Sequence, residues 1–382
     1  MPAKNIILIT LDGFRKDKIG LCPSLKSIKE NSYYFSEMNT NAPYTFAAHH
    51  VIFSGMYPSC NGVDGYYKMF NFKKDEITTL AEMLRKNDYY TVSETLDESV
   101  LPRQGFDEYN LFDEKTVNLK KRHMELIKKL SKKEKFFAFL HFTDTHLHYV
   151  RDIVQKYEKS ENDDEYYKSK KENNEKYNAS VSSCDEYVSG IIQTLQESNL
   201  FEKTVLIFIS DHGTSIGEKY GEKFYGVFVY ENTINVFCIM HIPGKSPKII
   251  SKQCSTIDLF PTIAELAGIR IENKSKIQGQ SLLYLTDDSS AKDREVFVET
   301  GGLYGPWPSP EKHNIFCVKI HGKKLIYNDA PQTWEFYDLK NDPNELHNIY
   351  DERSKQIGDL KRKLISHFKE NKIITKLNEN TS

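Results

Sequence analysis

The 382-residue sequence has no apolar run near the ~20 residues that a membrane-crossing helix requires. It has no C-x-x-C pair either. Cys22, Cys60, Cys184, Cys238, Cys254 and Cys317 are scattered, which argues against a zinc ribbon or a disulfide frame and suits reduced thiols. An excess of one charge is also missing: 52 Lys and Arg face 54 Asp and Glu, for a formal net charge of −2. Nothing in that balance favours nucleic acid or an anionic membrane as the main partner, so a small or medium-sized substrate is expected. There is no internal repeat and no long Gly/Ser- or Pro-rich linker. The opening "MPAKNIILITLDGF" has an apolar run too short for a secretory h-region and passes directly into charged residues, so the expected location is cytoplasmic.

What is present is a folded-domain composition, 39% hydrophobic and 12% aromatic. Short, nearly continuous apolar runs recur at 5–11, 89–95, 135–142, 203–210 and 235–241, the pattern of central strands buried on both faces. Helical periodicity lies between them: Ile77, Leu80, Met83 and Leu84 share one face, as do Val181, Cys184, Val188, Ile191, Ile192 and Leu195. The alternation predicts an α/β fold, a mostly parallel central sheet sandwiched by helices, over 1–290. From about 295 the pattern becomes "EVFVET", "NIFCVKI", "KKLIYN" and "WEFYDL" and then an amphipathic helix, predicting a small antiparallel C-terminal subdomain over 291–382. Residues 152–178 are charged, Tyr-rich and poor in aliphatics. They read as a solvated helix or loop, with an active-site lid as the sharper alternative.

Ligands of open α/β sheets gather beyond the carboxyl ends of the strands. Here one strand ends at Asp12, another in "HFTDTHLHY" with His141, Asp144, His146 and His148, and a third in "SDHGTSIGE" with Asp211 and His212. A single Asp would be an ordinary turn former. Three such tips, together with Thr45 after a proline at a helix start, suggest a divalent-metal site. An Asp, Asp, His, Thr set favours zinc or manganese over calcium or magnesium, and a metal would activate a threonine hydroxyl that otherwise holds its proton. Thr45 as a helix N-cap is the plain alternative.

These blocks resemble the alkaline phosphatase superfamily, in its sulfatase-like branch that also holds phosphodiesterases and phosphoglycerol transferases. "LITLDGFRKDKIG" is similar to the first metal block, "APYTFAAHHVIFSGMYP" to the nucleophile block, "FLHFTDTHLHYV" to a central His block and "VLIFISDHGTSIGE" to the second metal block. "KYNASVSSCDEYVSGIIQTLQ" and "WEFYDLKNDPNELHNI" match a preceding helix and a C-terminal motif. The resemblance implies that Asp12, Thr45, Asp211 and His212 surround one metal, with Thr45 forming a covalent intermediate and His146 and Lys219 assisting. A second metal is the other alignment, with Asp144 and His148 and with His313 or His321 as third ligand; one ion is favoured, and Asp144, His146 and His148 are then substrate contacts. Arg15 either pairs substrate oxyanions or forms a salt bridge with a neighbour such as Asp17, and His49 and His50 read as packed histidines.

Two departures from sulfatases stand out. Gly13 replaces the second Asp of the first block, and Thr45-Phe46-Ala47 replaces the C/S-x-P-x-R motif, so formylglycine cannot form. The expected activity is therefore metal-dependent hydrolysis of phosphodiesters or phosphomonoesters. Transfer of a phospho-alcohol to a glycan or lipid precursor and hydrolysis of sulfate esters are the alternatives.

Overall fold

The computed structural model describes residues 3–158, 163–272, 274–287, 291–300 and 314–379. In chain order the strands are β1 Asn5–Leu11, β2 Tyr33–Phe35, β3 Met38–Asn39, β4 Tyr90–Thr95, β5 Glu108–Leu111, β6 Phe136–Phe142, β7 Thr204–Ile209, β8 Cys238–His241, β9 Lys248–Ile250, β10 Cys254–Ser255, β11 Val296–Thr300, β12 Ile315–Ile320, β13 Lys323–Asn328 and β14 Thr333–Asp338. The large sheet runs β5-β4-β6-β1-β7-β8-β2-β9. Its pairings are parallel except where β8 meets β7 and β2, so β8 alone is reversed. The fold is thus α/β, with a mostly parallel sheet flanked by helices and a small antiparallel sheet, β11-β12-β13-β14, following it.

The unbroken apolar character of β1 follows from its central place. Ile7, Ile9 and Leu11 pack into one layer with Val181, Cys184, Val188, Ile191 and Leu195 of the helix Lys170–Glu197. Ile6 and Leu8 face the other layer, with Ile52, Phe53, Leu84 and Ile263. Alternate residues of one strand therefore fill two cores, and the strand is apolar from Ile6 to Ile9. The runs at 89–95, 135–142, 203–210 and 235–241 form β4, β6, β7 and β8. The short strands β2, β5 and β9 have no comparable sequence signature.

The Tyr-rich stretch is helical over Asp164–Lys168 and from Lys170 on, but most of its rings are not solvated. Among its described residues Tyr157, Tyr166 and Tyr177 are buried, and Lys170 already opens the long helix. The hydroxyls of Tyr166 and Tyr177, with that of Tyr149, bond the backbone of two loops. Tyr166 Oη and Tyr149 Oη each donate to the Ser215 carbonyl at 2.7 Å, while Tyr177 Oη donates to the Gly13 carbonyl at 2.7 Å and accepts from the Arg15 amide at 2.8 Å. The segment is a buttress beneath the loops that follow β1 and β7. The stretch 301–312 and His313 lie outside the described residues.

The small sheet is packed on one face by the helix Lys355–Glu370 and on the other by Val229, Tyr230 and Ile234. Buried charge joins it to the large sheet. Lys319 and Lys324 pair Glu231 at 2.7 and 3.2 Å, and Lys324 pairs Glu345 at 2.7 Å. Beside this network Glu222 is buried, accepts from Thr233 Oγ1 at 2.9 Å through one oxygen, and has no donor for the other among the described residues. Burial, reinforced by the charge of Glu218, raises its carboxyl from 4.5 to about 8. The folded protein therefore holds a proton that the unfolded chain releases first, so this contribution is full below pH 4.5 and is lost as pH climbs through 8. Glu222→Gln is expected to flatten the fall in urea-unfolding stability between pH 5 and 8 and to be the more stable protein at pH 8, by an amount on the order of 1.4 kcal/mol per pKa unit. Parallel pH profiles for the two proteins would show that Glu222 is ionised in the fold.

Candidate metal and active site

The tips of β1 and β7 adjoin in the sheet, so the residues that follow them converge. Asp12 follows β1 and fixes its backbone by donating its amide to the Phe142 carbonyl of β6 at 3.0 Å. Asp211 and His212 follow β7. Gly213 comes next because a Cβ there would lie 2.1 Å from the Asn232 carbonyl oxygen. Gly13, with φ of 65°, turns its amide onto Asp211 Oδ1 at 3.2 Å. Where related first blocks carry a second Asp, this chain therefore uses a backbone donor.

Asp12, Asp211 and His212 are buried, with one ligand atom from each within 4.8 Å of the others. Asp12 Oδ1 and Asp211 Oδ2 meet no donor among the described residues. His212 Nδ1 lies 2.8 Å from the Gly213 carbonyl and so carries the proton, which leaves the lone pair of Nε2 facing the cluster. Two unpartnered carboxylate oxygens and an imidazole lone pair converging among buried residues fit a divalent cation. Burial opposes ionisation of Asp12, but the charges of His146, His141 and His212 and the 2.8 Å bond from His141 Nε2 outweigh it and hold the carboxyl well below the usual range.

Thr45 opens the helix Thr45–Ser54, but it is not the cap. Tyr44 is the N-cap residue, with extended backbone, and Thr45 is the first helical residue. Its hydroxyl instead faces the cluster, with Oγ1 3.2 Å from His212 Nε2 and 3.4 Å from Asp12 Oδ2. His49, one turn on, bridges the Thr45 carbonyl at 2.8 Å and Thr10 Oγ1 at 3.0 Å, and burial lowers its pKa to about 4, so it is a neutral support. His50 likewise bonds the Phe46 carbonyl at 2.7 Å.

The structure brings His146 to this site and leaves the other candidates elsewhere. His146 Nε2 is 3.0 Å from Tyr225 Oη, and the Tyr225 ring stacks on His212 at 4.9 Å. Asp144 and His148 instead act on each other, and the Asp144 charge falls on Cys184 and Tyr187 of the long helix. His321 is exposed and pairs Asp293 at 3.2 Å. Among the described residues no second metal-competent group forms. Arg15 is committed to Asp17, Glu218 and the Thr214 carbonyl, the structural alternative of the sequence reading. Lys219 is corrected in the same way: its ammonium serves Tyr337 Oη at 2.9 Å and the Glu345 carbonyl and lies over the Tyr230 ring, facing the small sheet.

The sulfatase family model matches residues 4–269, well over half of the chain. The chain belongs to the sulfatase family. A second model, the C-terminal region of N-sulphoglucosamine sulphohydrolase, matches residues 221–373. Human arylsulfatase K is 30% identical over 182 residues, 45% of this chain and 32% of that protein. An N-acetylglucosamine-6-O-sulfatase of Bacteroides thetaiotaomicron is 27% identical over 207 residues, 51% of this chain and 36% of the relative. The chain thus aligns with about a third of the length of these curated relatives. Among solved structures, a 2-O GAG sulfatase superposes with a TM-score of 0.79 at 17% identity, over 100% of this chain and 94% of that one. The phosphonate monoester hydrolase of Agrobacterium radiobacter gives 0.76 at 15% identity, over 97% and 96%. At such identities these likenesses speak to the fold.

Sulfatase-family enzymes bind a divalent metal, and the Asp12, Asp211, His212 group has the donors for one. Refilling chelated protein with a divalent ion is expected to raise its melting temperature by a few degrees, reflecting about 2.7 kcal/mol at a hundredfold excess over the dissociation constant. Asp211→Asn is expected to lose that response. An equal rise in both proteins would place the ion elsewhere.

Proposed function

We propose that this sulfatase-family hydrolase cleaves monoanionic tetrahedral esters, sulfate esters foremost, by direct attack of the Thr45 hydroxyl. The observation that carries the reading is Thr45 Oγ1 held against Asp12 and His212 at the mouth of a cluster whose carboxylates lack a counter-charge. Zinc or manganese is the ion we infer there; when bound, it lowers the pKa of the hydroxyl and offsets charge on the ester oxygens. The Thr45 proton has two acceptors in reach, His212 Nε2 and Asp12 Oδ2. His146, held by Tyr225, protonates the leaving oxygen. Water then releases the acid from Thr45.

Charge argues for a monoanion. One divalent ion cancels two carboxylates, and Arg15 and Lys219, the cations expected to serve the substrate, are engaged elsewhere. A phosphomonoester dianion would bring a second negative charge, which among the described residues would have to be met by the acid His146 alone. A sulfate ester, a phosphodiester and a phosphonate monoester each bring one negative charge. The similarity to arylsulfatase K and to glycan sulfatases favours sulfate among these, and sulfated glycans as the substrate class. Phosphorus esters are the second reading, favoured by Thr45 itself, which cannot become formylglycine, and by the phosphonate hydrolase neighbours.

Matched nitrophenyl sulfate, phosphodiester, phosphonate monoester and phosphomonoester assays on zinc- or manganese-loaded protein test this. The three monoanions are expected to outpace the phosphomonoester. Thr45→Ala is expected to lower kcat by roughly 10³-fold or more while the metal-dependent melting shift persists. Near-normal turnover by Thr45→Ala would sink the nucleophile assignment.

A further inference from the structure

One carboxylate at the mouth of this site has no part in the chemistry above. Glu114 lies on the connection between β5 and the helix Leu119–Leu130. That connection is laid across the strand tips: the Phe112 amide donates to the Thr95 carbonyl of β4 at 3.1 Å, and the Phe112 ring stands 6.5 Å from His141, the residue that holds Asp12. Glu114 Oε2 is buried, and among the described residues it meets no hydrogen-bond donor.

Its surroundings are those of the active site. The charges of His146, Asp12 and His141 act on Glu114, and Glu114 acts in turn on the hydroxyls of Tyr66 and Tyr225. Tyr66 packs 4.7 Å from Phe46 and 5.9 Å from Tyr44, the residues on either side of Thr45, while Tyr225 stacks on His212. Glu114 is thus within electrostatic reach of Asp12 and His146 and of the two tyrosines that pack beside Thr45 and His212.

A buried acceptor without a donor costs on the order of 1–3 kcal/mol, and such groups persist where a ligand completes them. The ligand group cannot be the sulfate or phosphate, which Glu114 repels. It must belong to the organic part of the ester and must donate.

We propose that Glu114 is a specificity-determining residue whose Oε2 accepts an N–H or O–H from the alcohol portion of the substrate, selecting amino- or hydroxyl-bearing alcohols such as amino sugars over plain aryl groups. The proposal rests on the ester-hydrolase reading, with the leaving group lying between Tyr66 and Tyr225. An uncharged Gln retains an acceptor oxygen for a hydroxyl but loses the charge that favours an ammonium, so the two donor sources separate.

The test compares kcat/KM for 4-nitrophenyl sulfate, glucosamine 6-sulfate and N-acetylglucosamine 6-sulfate in wild type, Glu114→Gln and Glu114→Ala. The wild type is expected to prefer a sugar ester. Glu114→Ala is expected to lower the sugar-to-aryl ratio by about 10- to 100-fold, the loss of one charge-assisted hydrogen bond. If Glu114→Gln lowers the ratio only for the free amine, the donor is an ammonium; if it spares both sugars, the donor is a hydroxyl. No preference in the wild type, or equal losses for sugar and aryl esters, would overturn the proposal. Should the wild type hydrolyse no ester, the ester-hydrolase reading fails, and glucosamine 6-sulfate is titrated into Thr45→Ala with and without Glu114→Ala. Affinity at least tenfold weaker in the double variant keeps Glu114 as a donor-reading subsite, and unchanged affinity removes it.

Discussion

Two carboxylates, Asp12 and Asp211, are buried side by side with one oxygen of each unmet by a donor among the described residues, and much of the surrounding structure is arranged to make that tolerable. Like charges at this range in a low-dielectric site repel strongly, and one of the pair would ordinarily take up a proton. Hydrogen bonds and a neutral neighbour hold them instead. His141 bonds Asp12, the Gly13 amide bonds Asp211, and His49, kept neutral by burial, stands 4.0 Å from Asp211 Oδ2. These contacts leave one oxygen of each acid open to a cation.

The side chains that could have neutralised the pair have been drawn away. Arg15 is three residues from Asp12, yet it reaches outward to Asp17 and Glu218 and clamps the two post-strand loops together through the Thr214 carbonyl. Lys219 turns toward the small sheet, and Lys319 and Lys324 are held by Glu231 and Glu345. A guanidinium in the cluster would compete with a metal for the same carboxylates. The basic residues near the site therefore act on its rigidity, while the cation that matters comes from outside the chain. Tyrosine hydroxyls extend the same scaffold, since Tyr149, Tyr166 and Tyr177 tie the backbone of both loops without adding charge.

How much of this was legible in the sequence depends on how local each signal is. Central strands are legible because burial on both faces forces long apolar runs, and their tips are legible because Asp12, Asp211 and His212 follow those runs directly. The edge strands β5 and β9 need no such runs. The Asp144 and His148 spacing suggested a second ion, but spacing does not say which side of a helix faces the site; here Asp144 turns to Cys184 and Tyr187. Arg15 and Lys219 were ambiguous for the same reason, because their partners lie up to 217 and 126 residues away. Tyr66, Glu114 and Tyr225 sit on connections without a motif, and only the packing around Thr45 brings them together. The Tyr-rich segment misled because the charges around Tyr157, Tyr166 and Tyr177 gave no sign that these rings are buried.

Thr45 itself shows why a one-residue offset at a helix start has chemical consequences. A threonine at the N-cap would turn its hydroxyl back onto the helix amides and satisfy one of them. With Tyr44 in that position and Thr45 first in the helix, the hydroxyl is released toward Asp12 and His212, and the first-turn amides gain no side-chain cap. Those amides carry the positive end of the helix dipole beside the point where an anionic ester would approach. The offset thus supplies two things from the same turn, a hydroxyl not spent on capping and backbone donors without a side-chain cap. It also explains why the sequence could suggest a hydroxyl at a helix start without distinguishing a cap from a catalyst: the two differ by one residue of register, and that register is set by the burial of Tyr44 against Tyr66.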